Sequence, residues 1–183
     1  MDSIRVHDRV FVPFLTREAI AERVKEMGEA ISRDYAGRRP LIIPILNGSF
    51  IFSADLFRNL TIEAEICFIK LASYKGTRST GQVITSIGLD TEVFGRDVLV
   101  LEDIIDTGRT LHRFLPQLEH QQPKSLRICA LLHKAVATVH PVDIAYTGFV
   151  VPDRFVVGYG LDYDGLGRNL DAIWQLADGQ DRP

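Results

Sequence analysis

The sequence lacks the marks of several protein classes. It has two cysteines, Cys67 and Cys129, each inside an apolar run (AEICFIKLA and LRICALLH). Neither sits at a metal-binding spacing or in a redox CxxC pair. A disulfide scaffold is therefore excluded, and both thiols are expected to be buried and reduced. There is no run of Lys and Arg, and the formal net charge is −3 with a pI near 5.9. A chain built to grip a nucleic-acid backbone would carry the opposite balance, so no nucleic-acid partner is expected. No apolar stretch could span a bilayer, and the opening MDSIRVHDRVFVPF has no signal-peptide core. A cytoplasmic protein with no membrane partner is the expectation. Internal repeats, low-complexity tracts and linkers are missing too. The five histidines, His7, His112, His120, His133 and His140, form no visible cluster and read as structural or exposed.

At 183 residues the chain fits a single domain, 1–183, because two independent cores would be cramped. Hydrophobic residues make up 46% and charged residues 25%, the balance of a globular, water-soluble protein. Over residues 16–35 the apolar Ile20, Val24, Met27 and Ile31 recur at helical spacing, with Thr16 as N-cap and Glu18 in the first turn. Gly37 and Pro40 end that helix. LIIPIL (residues 41–46) reads as a buried strand. Asn47-Gly48-Ser49 is a turn in which Ser49 caps a helix through Phe52, Leu56 and Phe57. Residues 62–74 read as one long strand, and KGTRSTGQ (residues 75–82) as a mobile loop leading into VITSIGL. DVLVLEDIID (residues 97–106) is the clearest buried strand. The helix after it carries Leu111, Phe114, Leu115 and Leu118, with Pro116 expected to kink or shorten it. SLRICALLH (residues 125–133) and VDIAYTGFVV (residues 142–151) make two more strands. FVVGYGLDY (residues 155–163) is the last apolar run before a polar C-terminal tail. Strands alternating with helices predict an α/β fold, with a mostly parallel sheet and helices on both faces.

The chemistry concentrates where the strand over residues 97–106 ends. A hydrophobic strand delivers Glu102, Asp103 and Asp106 to its carboxyl end, where α/β sheets place ligands. The turn Thr107-Gly108 opens a helix, whose free amides and positive dipole end favour a phosphate. Thr107 and Thr110 add hydroxyls, and Gly108 lets the backbone approach closely. Adjacent Glu102 and Asp103 suit the two hydroxyls of a ribose, directly or through a metal. Carboxylates leaving a buried strand are costly unless used, so a merely well-capped turn is the weaker reading. A Walker A loop does not fit, because no glycine stands five residues before Gly108. A dehalogenase-type DxDx[TV] nucleophile does not fit either, since Asp103 and Asp106 are three apart.

EDIIDTGRT resembles the phosphoribosyl pyrophosphate signature of type I phosphoribosyltransferases, and of their hypoxanthine-guanine branch in particular. The likeness extends to Leu46-Asn47-Gly48-Ser49, Ser73-Tyr74, Leu132-His133-Lys134 and the run from Pro152 to Tyr159, in the family's order. The resemblance implies a central sheet flanked by helices. A small hood over the base site would come from the N-terminal segment and about residues 150–183, and a mobile flap from about residues 73–83. It implies transfer of phosphoribose onto a 6-oxopurine in purine salvage, by a homodimer or homotetramer with Mg2+ as cofactor. Asp106 would be the general acid or base on purine N7, with a raised proton affinity beside other acids. Glu102 and Asp103 would take the ribose hydroxyls and help hold magnesium, and Asp106, Thr107, Gly108, Arg109 and Thr110 would hold the 5′-phosphate. Lys134 would donate to the 6-oxo group, Phe155 would stack on the base, and Val156 would give it backbone bonds. Asp162 would ligate a second magnesium near the purine's 2-position. Leu46, Asn47, Gly48, Ser73, Tyr74 and Arg168 would meet pyrophosphate. Asn47 stands where many members carry lysine, so the contact implied there is the backbone's.

Plainer readings stand beside these. Arg109 also reads as an exposed residue at a helix start, Lys134 as a lysine snorkelling at a strand end, and Phe155 as a core aromatic. The same chemistry on xanthine or a pyrimidine, an RNA-binding nucleotide sensor and an inactive subunit are the rival functions. The acidic balance speaks against the sensor, and the intact acids against the inactive subunit.

Overall fold

The computed structural model describes residues 3–72, 84–87 and 91–180. The expected flap over residues 73–83 lies outside them. The large sheet is built from β3 (Leu41–Leu46), β4 (Glu65–Ile66), β5 (Ile69–Ala72), β6 (Ile84–Ile87), β7 (Asp97–Ile105), β8 (Ser125–His133) and β9 (Tyr146–Val150). Its order is β6-β5-β3-β7-β8-β9, with β4 also on β3. The pairs are parallel except β5 with β6.

Alternation along the strands explains the layers. Ile42, Leu99, Leu101, Cys129 and Leu131 point to one face. There they pack against Ile20, Val24, Met27 and Ile31 of α1 (Arg17–Asp34) and Phe52 and Leu56 of α2 (Phe50–Arg58). Leu41, Ile43, Val98, Val100, Ile128 and Ala130 point to the other face, onto Leu111, Phe114 and Leu118 of α3 (Arg109–Glu119). Strands buried on both sides read as continuous apolar runs, which is why β3, β7 and β8 were legible. Cys129 is fully buried and Cys67 partly buried, and both are free thiols; burial pushes the Cys129 thiol far up.

Several local expectations need correction. The long strand over residues 62–74 is split into β4 and β5, although both keep the same register on β3. The Cys67 amide donates to the Ile42 carbonyl, so the even residues of β3 face that side. Pro44 is the next of them and has no N–H to give, which opens the ladder there. Ser49 stands at the N-cap of α2, but its hydroxyl donates to the Ile45 carbonyl at 2.6 Å and caps nothing. α3 runs on past Pro116 to Glu119. Pro116 and His112 are both exposed, so water can solvate the carbonyl that lacks its partner.

The C-terminal tail is not simply polar. It contains β11 (Ile173–Leu176), which lies inside a second, antiparallel sheet with β1 (Ile4–Val6), β2 (Arg9–Leu15) and β10 (Val156–Val157), in the order β1-β2-β11-β10. Val6, Phe11, Val157, Trp174 and Leu176 form its own small core. Ile173 joins the main core and ties the two sheets together.

Candidate active site

β7 carries Glu102 and Asp103 to its carboxyl end. Glu102 is buried, and its Oε2 has no hydrogen-bond partner among the described residues. Burial, with the Asp103 charge beside it, raises its proton affinity well above the usual carboxylate range. Burial likewise pushes Asp103 up to about 6; the Ile104 amide, donating to Oδ1 at 2.9 Å, pulls the other way. A buried acid with an orphaned oxygen, beside a half-buried one, suits a ribose hydroxyl or a hard divalent cation. Among the described residues no three His, Cys, Asp or Glu side chains form a cage for a metal.

The turn after β7 is shaped by its glycine. Gly108 has φ +74°, and a Cβ there would lie 2.2 Å from the His140 carbonyl oxygen. The amides of Val139 and His140 both donate to the Thr107 carbonyl and hold the turn from behind. No side chain of Gly108 caps α3, and the 104–111 segment with Glu102 lines a cavity of about 80 Å³. The result is an amide-lined anion cradle beside the acids, with Thr107, Arg109 and Thr110 exposed at its rim. The histidines are not all scattered: His112 and His140 stack with ring centroids 4.5 Å apart beside this turn.

Lys134 directly follows β8 and is 5% exposed, so it does not snorkel. Its ammonium meets Asp106 at 2.9 Å and Asp153 at 3.4 Å, and its amide donates to the Ile105 carbonyl. Asp106 is half-exposed. Phe155 packs edge-on against Tyr163 at 5.9 Å and lies 6.3 Å from Phe11. Its carbonyl accepts from Leu176 on β11. Antiparallel alternation then turns the amide and carbonyl of Val156 to the open edge of β10.

The remaining residues converge from two loops. The Leu46–Asn47 peptide is cis. A Cβ on Gly48 would lie 1.6 Å from Asp103 Oδ2, so the acid rests directly on that loop. Gly160, with φ +101°, rests its Cα against the Gly48 carbonyl. Asp162 accepts from the Gly165 amide and pairs with Arg168 at 2.6 Å. Arg168 also donates to the Gly160 carbonyl. Glu102, Asp103, Gly48, Asp162 and Arg168 thus form one neighbourhood, and Asp106, Lys134 and Asp153 another. Ser73 and Tyr74 lie outside the described residues. Sequence reasoning missed Asp153, whose link to Lys134 only the fold reveals, and Gly160, whose signal was the paired glycines of GYG.

The phosphoribosyl transferase domain family matches residues 14–164. A hypoxanthine-guanine phosphoribosyltransferase of Lactococcus lactis subsp. lactis is 41% identical over 163 residues, 88% of each chain. One from Mycobacterium tuberculosis is 42% identical over 169 residues, 88% of this chain and 84% of that one. The crystal structure of a Bacillus anthracis hypoxanthine-guanine phosphoribosyltransferase, with a HEPES molecule in its active site, is similar with a TM-score of 0.84 at 38% identity. It covers 90% of this chain and 96% of that one.

Proposed function

The chain belongs to the phosphoribosyltransferase family, in its hypoxanthine-guanine branch, and from that premise we propose which of its residues carry the reaction. It is a pentosyltransferase of purine salvage. It moves the 5-phosphoribosyl group of phosphoribosyl pyrophosphate to N9 of a 6-oxopurine, giving the nucleotide and pyrophosphate. The observation that carries the assignment of roles is the meeting of an acid pair, an amide-lined turn and a buried lysine at the ends of β7 and β8.

The amides of residues 106–110, with the Thr107 and Thr110 hydroxyls, hold the 5′-phosphate, and Glu102 and Asp103 accept the ribose hydroxyls. Glu102 and Asp103 would help hold one Mg2+ and Asp162 would ligate a second; the metal, when bound, would neutralise charge on the pyrophosphate. Base N9 forms a bond to C1 of the ribose as the C1–O bond to pyrophosphate breaks, with inversion, and Asp106 takes the N7 proton. Lys134 donates to the 6-oxygen, which adenine lacks. Phe155 stacks on the ring, and the Val156 backbone, facing the open edge of β10, bonds its rim. Arg168 and the amides of Leu46, Asn47 and Gly48 receive pyrophosphate. In this reading Arg168 exchanges Asp162 for the leaving group and frees that carboxylate for the metal. The small sheet serves as the hood, and residues 73–83, with Ser73 and Tyr74, as a flap that excludes water.

The enzyme works in the cytoplasm as a homodimer or homotetramer. Two free thiols, no described helix able to cross a membrane, and exposed Phe50, Phe94 and Val136 support this. The test is pyrophosphate release with hypoxanthine, guanine, xanthine and uracil in turn, with and without Mg2+. Metal-dependent release with hypoxanthine and guanine is expected. Release with uracil alone would contradict the reading.

A further inference from the structure

A buried ammonium is costly unless opposite charge stays beside it. Lys134 is 5% exposed, and two carboxylates attend it, Asp106 at 2.9 Å and Asp153 at 3.4 Å. They come from different places: Asp106 follows β7, whereas Asp153 lies in the turn between β9 and β10. Their duties differ as well. When Asp106 takes the N7 proton, its carboxylate becomes a neutral acid. Were it the lysine's one counter-charge, the ammonium would be stranded while its bond to the 6-oxygen is needed.

We propose that Asp153 is a positioning residue for base selection, holding Lys134 charged and aimed at the 6-oxygen throughout transfer. The inference rests on the assignment of Lys134 to that oxygen. The lysine keeps at least one counter-charge at each stage. Before transfer one ammonium faces two carboxylates. As the N9–C1 bond forms and the C1–O bond breaks, the N7 proton passes to Asp106, and one ammonium faces one carboxylate. Without Asp153 the second state would hold a lone buried cation. Placement supports the role: Asp153 stands two residues before Phe155 and three before Val156. One turn therefore delivers the stacking ring, the edge amide and the second anchor of the discriminating lysine.

The experiment compares Asp153→Asn, Asp153→Glu and Lys134→Gln with the unsubstituted enzyme. KM is measured with hypoxanthine and phosphoribosyl pyrophosphate varied separately, together with inhibition by unsubstituted purine, which has no 6-oxygen. D153N is expected to raise the KM for hypoxanthine ~10-fold or more. The KM for phosphoribosyl pyrophosphate and the inhibition by purine should stay within ~2-fold, and D153E should recover most of the loss. Equal losses for hypoxanthine and purine, or no recovery in D153E, would mean a merely structural residue and overturn the proposal. K134Q separates the two readings. If it spares hypoxanthine, the Lys134 assignment fails and takes this inference with it. If K134Q loses hypoxanthine while D153N does not, this inference alone fails. Should D153N not fold, Asp153→Ser, small and uncharged, carries the same comparison.

Discussion

At Gly48 a methyl group would land on the Asp103 carboxylate, 1.6 Å from Oδ2. The contact is with the end of a side chain, so the acid can move aside, but only by leaving the place from which we propose it serves the ribose. Gly48→Ala should therefore lower kcat/KM by ~100-fold, as a misplacement near the reacting centre does. Its unfolding free energy should change by no more than ~1 kcal/mol. Steady-state kinetics and urea unfolding on the same preparation check both halves. Asp103 itself carries a cost. An acid whose folded-state affinity is raised contributes stability that is full below its unfolded value, 3.8, and is lost as pH rises through about 6. At ~1.4 kcal/mol per tenfold change in proton binding, the ionised acid costs up to ~3 kcal/mol. With metal chelated, Asp103→Asn should match the parent in stability near pH 4 and exceed it by ~1–3 kcal/mol at pH 8, while losing activity. Thermal melts at the two pH values decide; equal stability at both would contradict the burial argument. Glu102, Asp103 and Asp106 were legible because acids leaving an apolar strand demand a use. Asp153 was not, because nothing in the sequence marks that residues 134 and 153 meet.

Among the elements, the join of β7 to α3 is the most constrained. Gly108 adopts φ +74° and rests against the His140 backbone, so Gly108→Ala meets both strain and a carbonyl that cannot swing away. A loss of ~1–3 kcal/mol is expected, with the KM for phosphoribosyl pyrophosphate rising more than that for hypoxanthine, because the proposed role of the cradle is to hold phosphate rather than base. Equal rises would deny the cradle that selectivity. The bounds of β3 and β8 were readable to the residue, since strands buried on both faces announce themselves as unbroken apolar runs. Where an element draws its identity from a distant partner, the reading failed. IWQL is four residues between Ala172 and Ala177, too short to announce a strand, and only pairing with β2 and β10 makes it β11. Pro44 looked like part of an ordinary strand, yet its missing amide splits the neighbouring strand in two. Trp174→Ala, which empties much of the small core, should cost ~3–5 kcal/mol of stability by calorimetry.

The whole molecule sets two sheets around one reaction. The parallel sheet brings the phosphate turn, the acid pair and Lys134 to the carboxyl ends of adjacent strands. The antiparallel sheet contributes Phe155 and Val156, and the loop beyond it, through Gly160, rests on Gly48. That cross-contact was invisible in the sequence, because it depends on how the two sheets meet rather than on any spacing along the chain. Within the account, Asp106 is the point where the systems intersect, adjoining the phosphate turn on one side and pairing with Lys134 on the other. Single-turnover kinetics of Asp106→Asn, with the affinity for metal-bound phosphoribosyl pyrophosphate measured alongside, test this most directly. Turnover lowered by ~100- to 10,000-fold, with substrate affinity within ~3-fold of the parent, is expected. Turnover close to that of the parent would remove Asp106 from proton transfer and contradict the account.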